Sequence, residues 1–402
     1  MDYCQTLYWI NVNNAHTLVH KRETQNWEKT LAMWRYRNPV EVRFGDGVFD
    51  TLGKILAGRS YCLVTYDDAN GGGTFAALTQ RVSAMAGTPA ATVRNIGPNP
   101  DFEGLTESCR LYAAASRPIQ VIVALGGGSV IDAAKVLAAA NGDFARVEHY
   151  LVKNVGGEQL GKTPIIAIPT TSGTGSEVTS WATVWDTRRM QKYSLARDSL
   201  YPETALVDPL LTVGLPRAVT ISTGLDALSH ALESIWNVNA NPVSATLAET
   251  AAREVMEALP KLADDLSNVG LRTRLAKASL FAGLAFSNTK TALAHALSYD
   301  ITLRHGVPHG IACSFSLPMV MRAVSGCNDA CDASLKRIFG DDLAAGARRL
   351  EKLLESLGVS PRATDHGIKA ADWARLVDNA LAGERGKNFI GRRETLVAEL
   401  AA

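Results

Sequence analysis

Short apolar runs alternate with helical patterns from about residue 40 to residue 215. Three of these runs are continuous and end in polar or glycine residues: YCLVTY (61–66), VIVALGGGS (121–129) and PIIAIPTT (164–171). Continuous apolar runs of this length are typical of strands buried on both faces of a parallel sheet. The pattern therefore predicts an α/β domain with a parallel sheet.

The pattern changes after DPLLTVGLP (208–216) to long helical periodicities rich in Ala and Leu, such as LRTRLAKASLFAGLAF (271–286). No strand-like run of comparable strength follows, so the second part is predicted to be all-helical. We expect an α/β plus all-α chain. It would consist of a polar N-terminal extension (1–32), an α/β domain (33–215) and a helical domain (216–402).

Composition and charge argue against several classes of partner. The formal net charge is +1 and no run of like charge is long enough to follow a phosphate backbone, so no nucleic acid is expected. No apolar stretch reaches the roughly 18–20 residues of a membrane span, and the start lacks the pattern of a signal peptide. The six cysteines form no CxxC pair and indicate neither a thiolate zinc site nor disulfides. We expect a cytoplasmic protein that binds small molecules.

Three glycines follow the strand VIVAL directly and lead into a helical pattern, in GGGSVIDAAK (126–135). Glycine lets the backbone approach a phosphate closely, and the N–H groups at a helix start attract the anion. The spacing is not the usual G-x-G-x-x-G, and similar turns occur without a ligand. From this stretch alone, a pyrophosphate site and an ordinary turn are equal alternatives.

A second polar turn, PTTSGTGSEVT (169–179), follows another predicted buried strand. Its hydroxyls and two glycines suit contacts to phosphate, ribose and a nicotinamide amide. The alternative is a solvated loop, because loops are commonly rich in Ser, Thr and Gly. The second turn makes a nucleotide site more plausible than the first turn does by itself.

The stretch GLDALSHALE (224–233) places Asp226 and His230 four residues apart, on one face of a helix. By themselves, these two residues fit a pair of side chains that interact with each other on one helix better than they fit a metal site. The segment ALAHALSYDITLRHGVPHG (292–310) then adds His295, His305 and His309, so four of the eight histidines lie in two short segments. One carboxylate and three imidazoles favour a divalent transition metal, Fe²⁺ or Zn²⁺, acting as a Lewis acid.

Together these segments resemble the iron-dependent, or group III, alcohol dehydrogenases over roughly residues 34–400. The resemblance implies a Rossmann-like parallel-sheet domain, a helical metal-binding domain and a cleft holding NADH or NADPH and Fe²⁺ (or Zn²⁺). It implies the metal ligands Asp226, His230, His295 and His309. It also implies cofactor contacts from the two polar turns and one later lysine: Gly126, Gly127, Gly128, Ser129, Asp132, Thr170, Thr171, Thr174, Ser176, Thr179 and Lys192.

Two positions depart from the family pattern. Many relatives carry a proton-relaying histidine four residues after the third ligand, where this chain has Tyr299. His305 or water could take over that role. The family also often has, after the second strand, an Asp that binds the adenosine ribose, where this chain has Tyr66 followed by Asp67 and Asp68. The choice between NADH and NADPH therefore stays open.

Four further segments are similar to the phosphonoacetaldehyde reductases within this family: ESIWNVNANPVS (233–244), LAFSNTKTALAHALSY (284–299), LRHGVPHGIACSFSLP (303–318) and GERGKNF (383–389). A phosphonate dianion needs cations or amide donors near the metal. The candidate substrate contacts are Lys290, Arg304, Arg385 and Asn288. Lys290 interrupts an apolar helical run five residues before His295, and it joins Tyr299 and His305 as a catalytic candidate.

The resemblance implies direct hydride transfer from a nicotinamide to an aldehyde, giving a primary alcohol, and phosphonoacetaldehyde is the favoured substrate. The alternatives are a general short-chain alcohol or lactaldehyde dehydrogenase and, from another class, a dehydroquinate synthase-like lyase that consumes no net NADH. We expect a homodimer, the commonest oligomer.

Overall fold

The computed structural model describes residues 33–67 and 74–398. The predicted N-terminal extension (1–32) and Asp68 lie outside the described residues. Within the described part, no helix combines the length and the apolar character needed to cross a membrane.

The described residues of the first half form eight strands, and six of these make one parallel sheet in the order β1-β8-β5-β4-β2-β3. Every residue of β2, β4 and β5 is buried, as the apolar runs predict. The strands are β1 Glu41–Phe44, β2 Tyr61–Thr65, β3 Ala91–Val93, β4 Val121–Gly126, β5 Ile165–Pro169, β6 Trp181–Asp186, β7 Gln191–Ala196 and β8 Thr204–Val207.

Helices cover both faces of this sheet, because successive strand side chains point to opposite faces. Cys62 and Val64 pack with the helices α3, α4 and α5, whereas Tyr61 and Leu63 pack with α1 and α2. These helices are α1 Leu52–Leu56, α2 Thr74–Ala86, α3 Phe102–Ala113, α4 Gly128–Ala140 and α5 Phe144–Lys153. The prediction of a Rossmann-like parallel-sheet domain is confirmed.

The strands β6 and β7 form a separate antiparallel hairpin that the hydrophobic pattern did not reveal. Their residues are only partly buried, so they lack the continuous apolar run of the central strands. The hairpin pairs Trp185 with Lys192. It therefore brings a lysine that follows the second polar turn next to a large aromatic side chain.

The second half is helical throughout the described residues, as predicted, and its helices share one large apolar core. The helices are α6 Arg217–Ile235, α7 Pro242–Asp264, α8 Val269–Thr289, α9 Leu293–His305, α10 His309–Ser314, α11 Leu317–Val324, α12 Asp329–Phe339, α13 Leu343–Ser356, α14 Ala370–Ala382 and α15 Arg393–Ala398.

Lys290 does not interrupt a continuous helix, which corrects the sequence-based interpretation. The helix α8 ends at Thr289, and Lys290 caps it with φ 62° and ψ 177°. This backbone region is favourable for glycine and costs other residues about 1–3 kcal/mol. The chain turns sharply here, and the helix that carries His295 starts only at Leu293.

Candidate active site

The triple-glycine turn lies between β4 and α4 at the carboxyl edge of the sheet. The strand ends at Gly126 and the helix begins at Gly128, so the turn exposes the positive end of a 13-residue helix. A Cβ atom added to Gly128 would lie 2.5 Å from Cγ2 of Thr174. Only glycine therefore allows the second polar turn to lie this close to the helix start.

The second polar turn packs directly on the first. The backbone N–H of Thr170 donates to the carbonyl of Gly126 (3.0 Å), and the Thr171 side chain lies against Gly127. Ser176 Oγ donates to Asp132 Oδ1 (2.6 Å), and the other carboxylate oxygen accepts from the N–H of Thr183 (2.8 Å). The two polar turns thus form one hydrogen-bonded surface.

Lys135 fixes this surface from below, a role that sequence analysis missed. Its fully buried ammonium donates to Ser176 O, Ser176 Oγ, Thr179 Oγ1 and Trp181 O, at 2.7–3.1 Å. Burial lowers the pKa of Lys135 to about 8. The sequence does contain a sign of this role: Lys135 lies on an otherwise apolar helix face, three residues after Asp132.

Tyr66 and Asp67 lie at the same edge of the sheet, at the end of β2. The register pairs Thr65 with Leu125, directly before the glycine turn. Both residues are exposed, and the Tyr66 ring meets Phe75 edge to face at 5.7 Å. Their placement fits the predicted contact with an adenosine ribose, which stays a prediction.

Asp226 and three histidines lie close together between the helices, and their role as metal ligands stays a prediction. Asp226 Oδ1 lies 3.3 Å from His295 Nε2, 3.9 Å from His309 Nε2 and 4.0 Å from His230 Nδ1. His230 stacks between Phe286 and His295, with ring centroids 4.0 and 4.4 Å apart. Its Nδ1 lies 3.3 Å from the backbone carbonyl oxygen of Gly173.

The convergence leaves two buried polar atoms without hydrogen bonds in the described residues, Asp226 Oδ1 and His295 Nε2. A buried polar atom without a partner is costly, so a native structure normally supplies one. Burial opposes ionisation of Asp226, but His230 and His295 outweigh it and hold the pKa of the carboxyl below its usual range. Burial lowers the pKa of His230 to about 3, which keeps that imidazole neutral. This donor set fits a divalent cation.

Glu233 orients His295 and was not predicted. Its fully buried carboxylate accepts from His295 Nδ1 (2.6 Å) and from the backbone N–H groups of Ala294 and His295. A carboxylate bonded to the remote nitrogen of a histidine fixes the tautomer that leaves Nε2 free for a metal. Glu233 ends the stretch that contains Asp226 and His230, and its spacing of seven residues from Asp226 places it on the same helix face.

Gly310 brings His309 into the cluster. A Cβ atom at this position would overlap the backbone carbonyl of Ser222 on α6, so only glycine lets α10 approach so closely. One helical turn further along, the buried Cys313 has its Sγ 3.6 Å from His309 Nε2. The donor atoms of Asp226, His295, His309 and Cys313 all lie within 4.8 Å of one another. The sequence analysis expected no cysteine among these donors, and the predicted ligand His230 is not one of the four.

A cationic corner adjoins the imidazoles. Lys192 Nζ lies 4.1 Å from the centre of the Tyr299 ring, and Arg385 donates to Thr291 Oγ1 (2.5 Å). The Tyr299 ring is parallel to that of His309 at 6.5 Å. Burial by itself would raise the pKa of Tyr299. The positive charges of Arg385 and Lys192 have the larger effect and bring this pKa below its usual value, to about 8.

One cavity joins both halves of the site. Its wall includes Gly128, Ser129, Asp132, Thr174, Ser176, Thr179 and Lys192 from the first half, and Asp226, His230, His295, Tyr299, His309 and Arg385 from the second. The predicted metal ligands therefore face the triple-glycine turn across a shared space. Gly126, Gly127, Thr170 and Thr171 support this wall from behind.

Other predicted residues lie away from this cavity, which corrects their assigned roles. Arg304 is exposed and pairs with Asp300. His305 is exposed and lines a separate surface pocket with Arg304. Ten residues of helix separate His305 from His295, which places it about 15 Å further along the axis.

Lys290 and Asn288 are also outside the cavity. The Lys290 side chain is exposed at the end of α8, and the Asn288 side chain accepts from the backbone N–H of Arg37 (2.8 Å). Of the four predicted substrate contacts, only Arg385 lines the cavity.

Comparison with known proteins defines the class. Residues 39–209 match the model of the iron-containing alcohol dehydrogenases, and residues 220–400 match that of the C-terminal region of the Fe-containing alcohol dehydrogenase family. The chain belongs to the iron-containing alcohol dehydrogenase family and is an oxidoreductase.

Individual relatives differ in name and coverage. A phosphonoacetaldehyde reductase of Streptomyces viridochromogenes is 34% identical over 66% of this chain and 75% of its own length. A 1,3-propanediol dehydrogenase of Klebsiella pneumoniae is 29% identical over 92% of this chain and 97% of its own. The structure of a sulfoacetaldehyde reductase from Bifidobacterium kashiwanohense in complex with NAD⁺ matches with a TM-score of 0.83 and 28% identity, covering 92% of this chain and 98% of that one.

Proposed function

We propose that this chain reduces a short aldehyde carrying an anionic group, phosphonoacetaldehyde in particular, to the primary alcohol 2-hydroxyethylphosphonate. The hydride donor would be NADH or NADPH. The observation that carries the proposal is the presence of two cations, Lys192 and Arg385, in the same cavity as the imidazole cluster.

The cationic corner suits an anion more than a neutral alcohol. Lys192 and Arg385 line the same cavity as Asp226 and His309. A phosphonate dianion can accept from both a guanidinium and an ammonium, and such charge-assisted hydrogen bonds are the strong ones. A substrate bound here would direct its carbonyl toward the imidazoles.

Two relatives support this substrate class. One is named for phosphonoacetaldehyde and the other for sulfoacetaldehyde, and both names describe a two-carbon aldehyde with a tetrahedral oxyanion. The shared chemistry favours a site that combines cations with a carbonyl-polarising centre.

Asp226, His230, His295 and His309 would hold the metal, Fe²⁺ by the family's description. When bound, this metal supplies Lewis acidity that polarises the carbonyl and stabilises negative charge on its oxygen. Glu233 keeps the His295 ring in the required orientation. On the opposite wall, the glycine turn would bind the pyrophosphate of the nicotinamide cofactor, while Asp132 and Ser176 maintain the shape of the adjoining turn.

Tyr299 is the proposed proton donor. Of the three catalytic candidates, Tyr299 lines the cavity, whereas His305 and Lys290 do not. Lys192 and Arg385 lower the pKa of its phenol to about 8, near the range in which a general acid works efficiently. The phenol would donate its proton to the oxygen atom as the hydride reaches the carbon.

Oxidation of a neutral alcohol, such as a short diol, or reduction of the corresponding aldehyde is the second candidate. It is favoured by the propanediol dehydrogenase relative, which covers 92% of this chain against 66% for the phosphonoacetaldehyde reductase. The apolar part of the cavity wall, including Trp181 and Phe286, could accommodate such a substrate.

The test compares phosphonoacetaldehyde with propionaldehyde in the Fe²⁺-loaded wild type and in Arg385→Gln. We expect the variant to lose about 10–100-fold in kcat/KM for phosphonoacetaldehyde, equivalent to the roughly 1.5–3 kcal/mol of a hydrogen bond to a charged group. Turnover of propionaldehyde should fall much less, through the loss of the Arg385 charge that lowers the pKa of Tyr299. Arg304→Gln, which removes an arginine outside the cavity, is the matched control.

Equal losses for both aldehydes would assign Arg385 a structural role and favour the neutral alcohol. NADH consumption distinguishes a further alternative. A dehydroquinate synthase-like lyase would regenerate its nicotinamide and show no net loss of NADH with any aldehyde.

A further inference from the structure

Thr291 is a cavity residue that the sequence analysis did not single out. It is buried, and its Oγ1 accepts a hydrogen bond from Arg385 (2.5 Å). This is the only hydrogen bond of the Arg385 side chain among the described residues, so most of its N–H donors remain available. The Thr291 hydroxyl itself donates to no described residue. A guanidinium and a hydroxyl therefore lie side by side in the cavity wall, and both can still donate.

The backbone directly before Thr291 is held in a strained conformation. Lys290 has φ 62° and ψ 177°, a region that residues other than glycine adopt only where the surrounding structure enforces it. Its N–H donates to the carbonyl of Phe286 (2.7 Å). Its own carbonyl accepts from Asn237 Nδ2 (3.2 Å) and Thr289 Oγ1 (2.9 Å). Strain of this kind is typical of functional sites, and here it fixes the position of Thr291.

The loop that carries Arg385 is attached to the same turn. Asn388 Nδ2 donates to the backbone carbonyl of Thr291 (2.9 Å). A Cβ atom added to Gly386 would overlap the carbonyl oxygen of Ala380, so only glycine lets the loop pack this closely on the end of α14. The relative position of the guanidinium and the hydroxyl is therefore set by the backbone on both sides.

We propose that Thr291 is a specificity-determining residue that selects aldehydes carrying an anionic group. Its hydroxyl oxygen orients the Arg385 guanidinium in the cavity wall, and its hydroxyl hydrogen donates to the anion. Hydrogen bonds to a charged group are strong, and donors that are already fixed lose less conformational freedom when the anion binds. This role rests on the proposed function, because it concerns the residue that orients Arg385 toward the substrate.

The test compares the wild type with Thr291→Val, which keeps the shape of the side chain but removes the hydroxyl. In the Fe²⁺-loaded enzyme, KM for phosphonoacetaldehyde should rise about tenfold, the effect of one hydrogen bond to a charged group. Arg385 keeps its charge in this variant, so kcat and the KM for propionaldehyde should change less than about twofold. Thr291→Ser retains the hydroxyl and should restore most of the affinity, which a merely structural role would not predict.

Calorimetric titration with ethylphosphonate gives a second measurement that does not depend on turnover, because this molecule carries the anion without the aldehyde. Its Kd should rise about tenfold in Thr291→Val and at least as much in Arg385→Gln. Thr302→Val is the matched control. Thr302 lies on α9 outside the cavity, and its buried hydroxyl makes no hydrogen bond with a described residue. This variant should bind ethylphosphonate as the wild type does.

Unchanged ethylphosphonate binding in Thr291→Val would overturn the role of Thr291, and a loss confined to Arg385→Gln would leave the proposed substrate class intact. An equal rise in KM for both aldehydes in Thr291→Val would assign this residue a structural role and would also overturn its part in selection. A wild type that binds no ethylphosphonate and prefers propionaldehyde would overturn the proposed function, and with it the role of Thr291.

Discussion

The two walls of the cavity are built in opposite ways. The α/β wall consists of two contiguous turns, 126–129 and 169–179, at the ends of neighbouring strands. The helical wall draws its donors from three helices: Asp226 lies on α6, and α7 and α8 separate it in sequence from His295 on α9 and His309 on α10.

The walls also differ in how they satisfy buried charge. On the α/β wall, the buried Lys135 ammonium donates to four oxygen atoms of the protein, so this wall is complete by itself. On the helical wall, Asp226 and His295 each retain a buried atom that has no hydrogen bond among the described residues. The α/β wall is therefore preformed, whereas the helical wall leaves two buried atoms that a cation would satisfy. Substitutions in one wall should therefore affect cofactor binding, and substitutions in the other wall should affect metal binding.

The largest effect is expected from Asp226→Ala. Loss of the carboxylate should remove the metal and lower kcat by at least about 10³-fold, because the carbonyl is then no longer polarised. NADH affinity should stay close to the wild-type value. Metal content, turnover and a fluorescence titration with NADH test these three points. Asp300→Ala, on an exposed face of α9, should behave as the wild type, and activity retained without metal would refute the assignment.

Tyr299→Phe should lower aldehyde reduction by about 10²-fold, a typical contribution of a general acid. In the wild type, kcat/KM for reduction should fall as pH rises through about 8, since the phenol must be protonated to donate. Alcohol oxidation should show the opposite trend, because it requires the phenolate. A pH–rate profile in both directions measures this. The proposed donor is wrong if the phenylalanine variant keeps the same alkaline limb.

Glu233→Gln should weaken metal binding by about 10–100-fold, the usual cost of losing the carboxylate behind a metal-binding histidine. Competition with a chelator measures the affinity. Glu249→Gln is the control, because Glu249 is also a buried carboxylate of the helical half but pairs with Arg337. Equal loss in both variants would indicate general destabilisation of the helices.

The smallest effect is expected on the opposite wall. Gly128→Ala should weaken NADH binding by about tenfold, because the new Cβ meets Thr174 at 2.5 Å and such overpacking typically costs 1–3 kcal/mol. Metal content should not change. An added Cβ at Gly214 meets nothing within 4 Å, so Gly214→Ala serves as the control. A loss of metal in Gly128→Ala would contradict the independence of the two walls.

The parts of the site that could be predicted are those encoded within one local stretch. The strands β2, β4 and β5 follow from continuous apolar runs, and the glycine turn follows the second of them directly. Asp226 and His230 share a helix face because of their spacing. The resemblance to a family then linked these stretches to His295 and His309.

The residues that the sequence analysis missed could not be recognised from their neighbours in the sequence. Lys135 and Glu233 are charged residues on helices, and most such residues are exposed. Only the packed structure shows both as fully buried. His309 likewise lies near Asp226 only because α10 approaches α6 closely, which Gly310 permits.

The sequence by itself determined the order of elements, the two polar turns and the pairs of donors that helical spacing places on one face, because these depend on local periodicity and backbone preference. Only the tertiary structure decided which cations reach the cavity. Arg304 and Arg385 are equivalent as sequence signals, yet the end of α9 faces solvent whereas Arg385 is held at Thr291 beside the imidazoles. That choice depends on how distant helices pack, which no local pattern specifies.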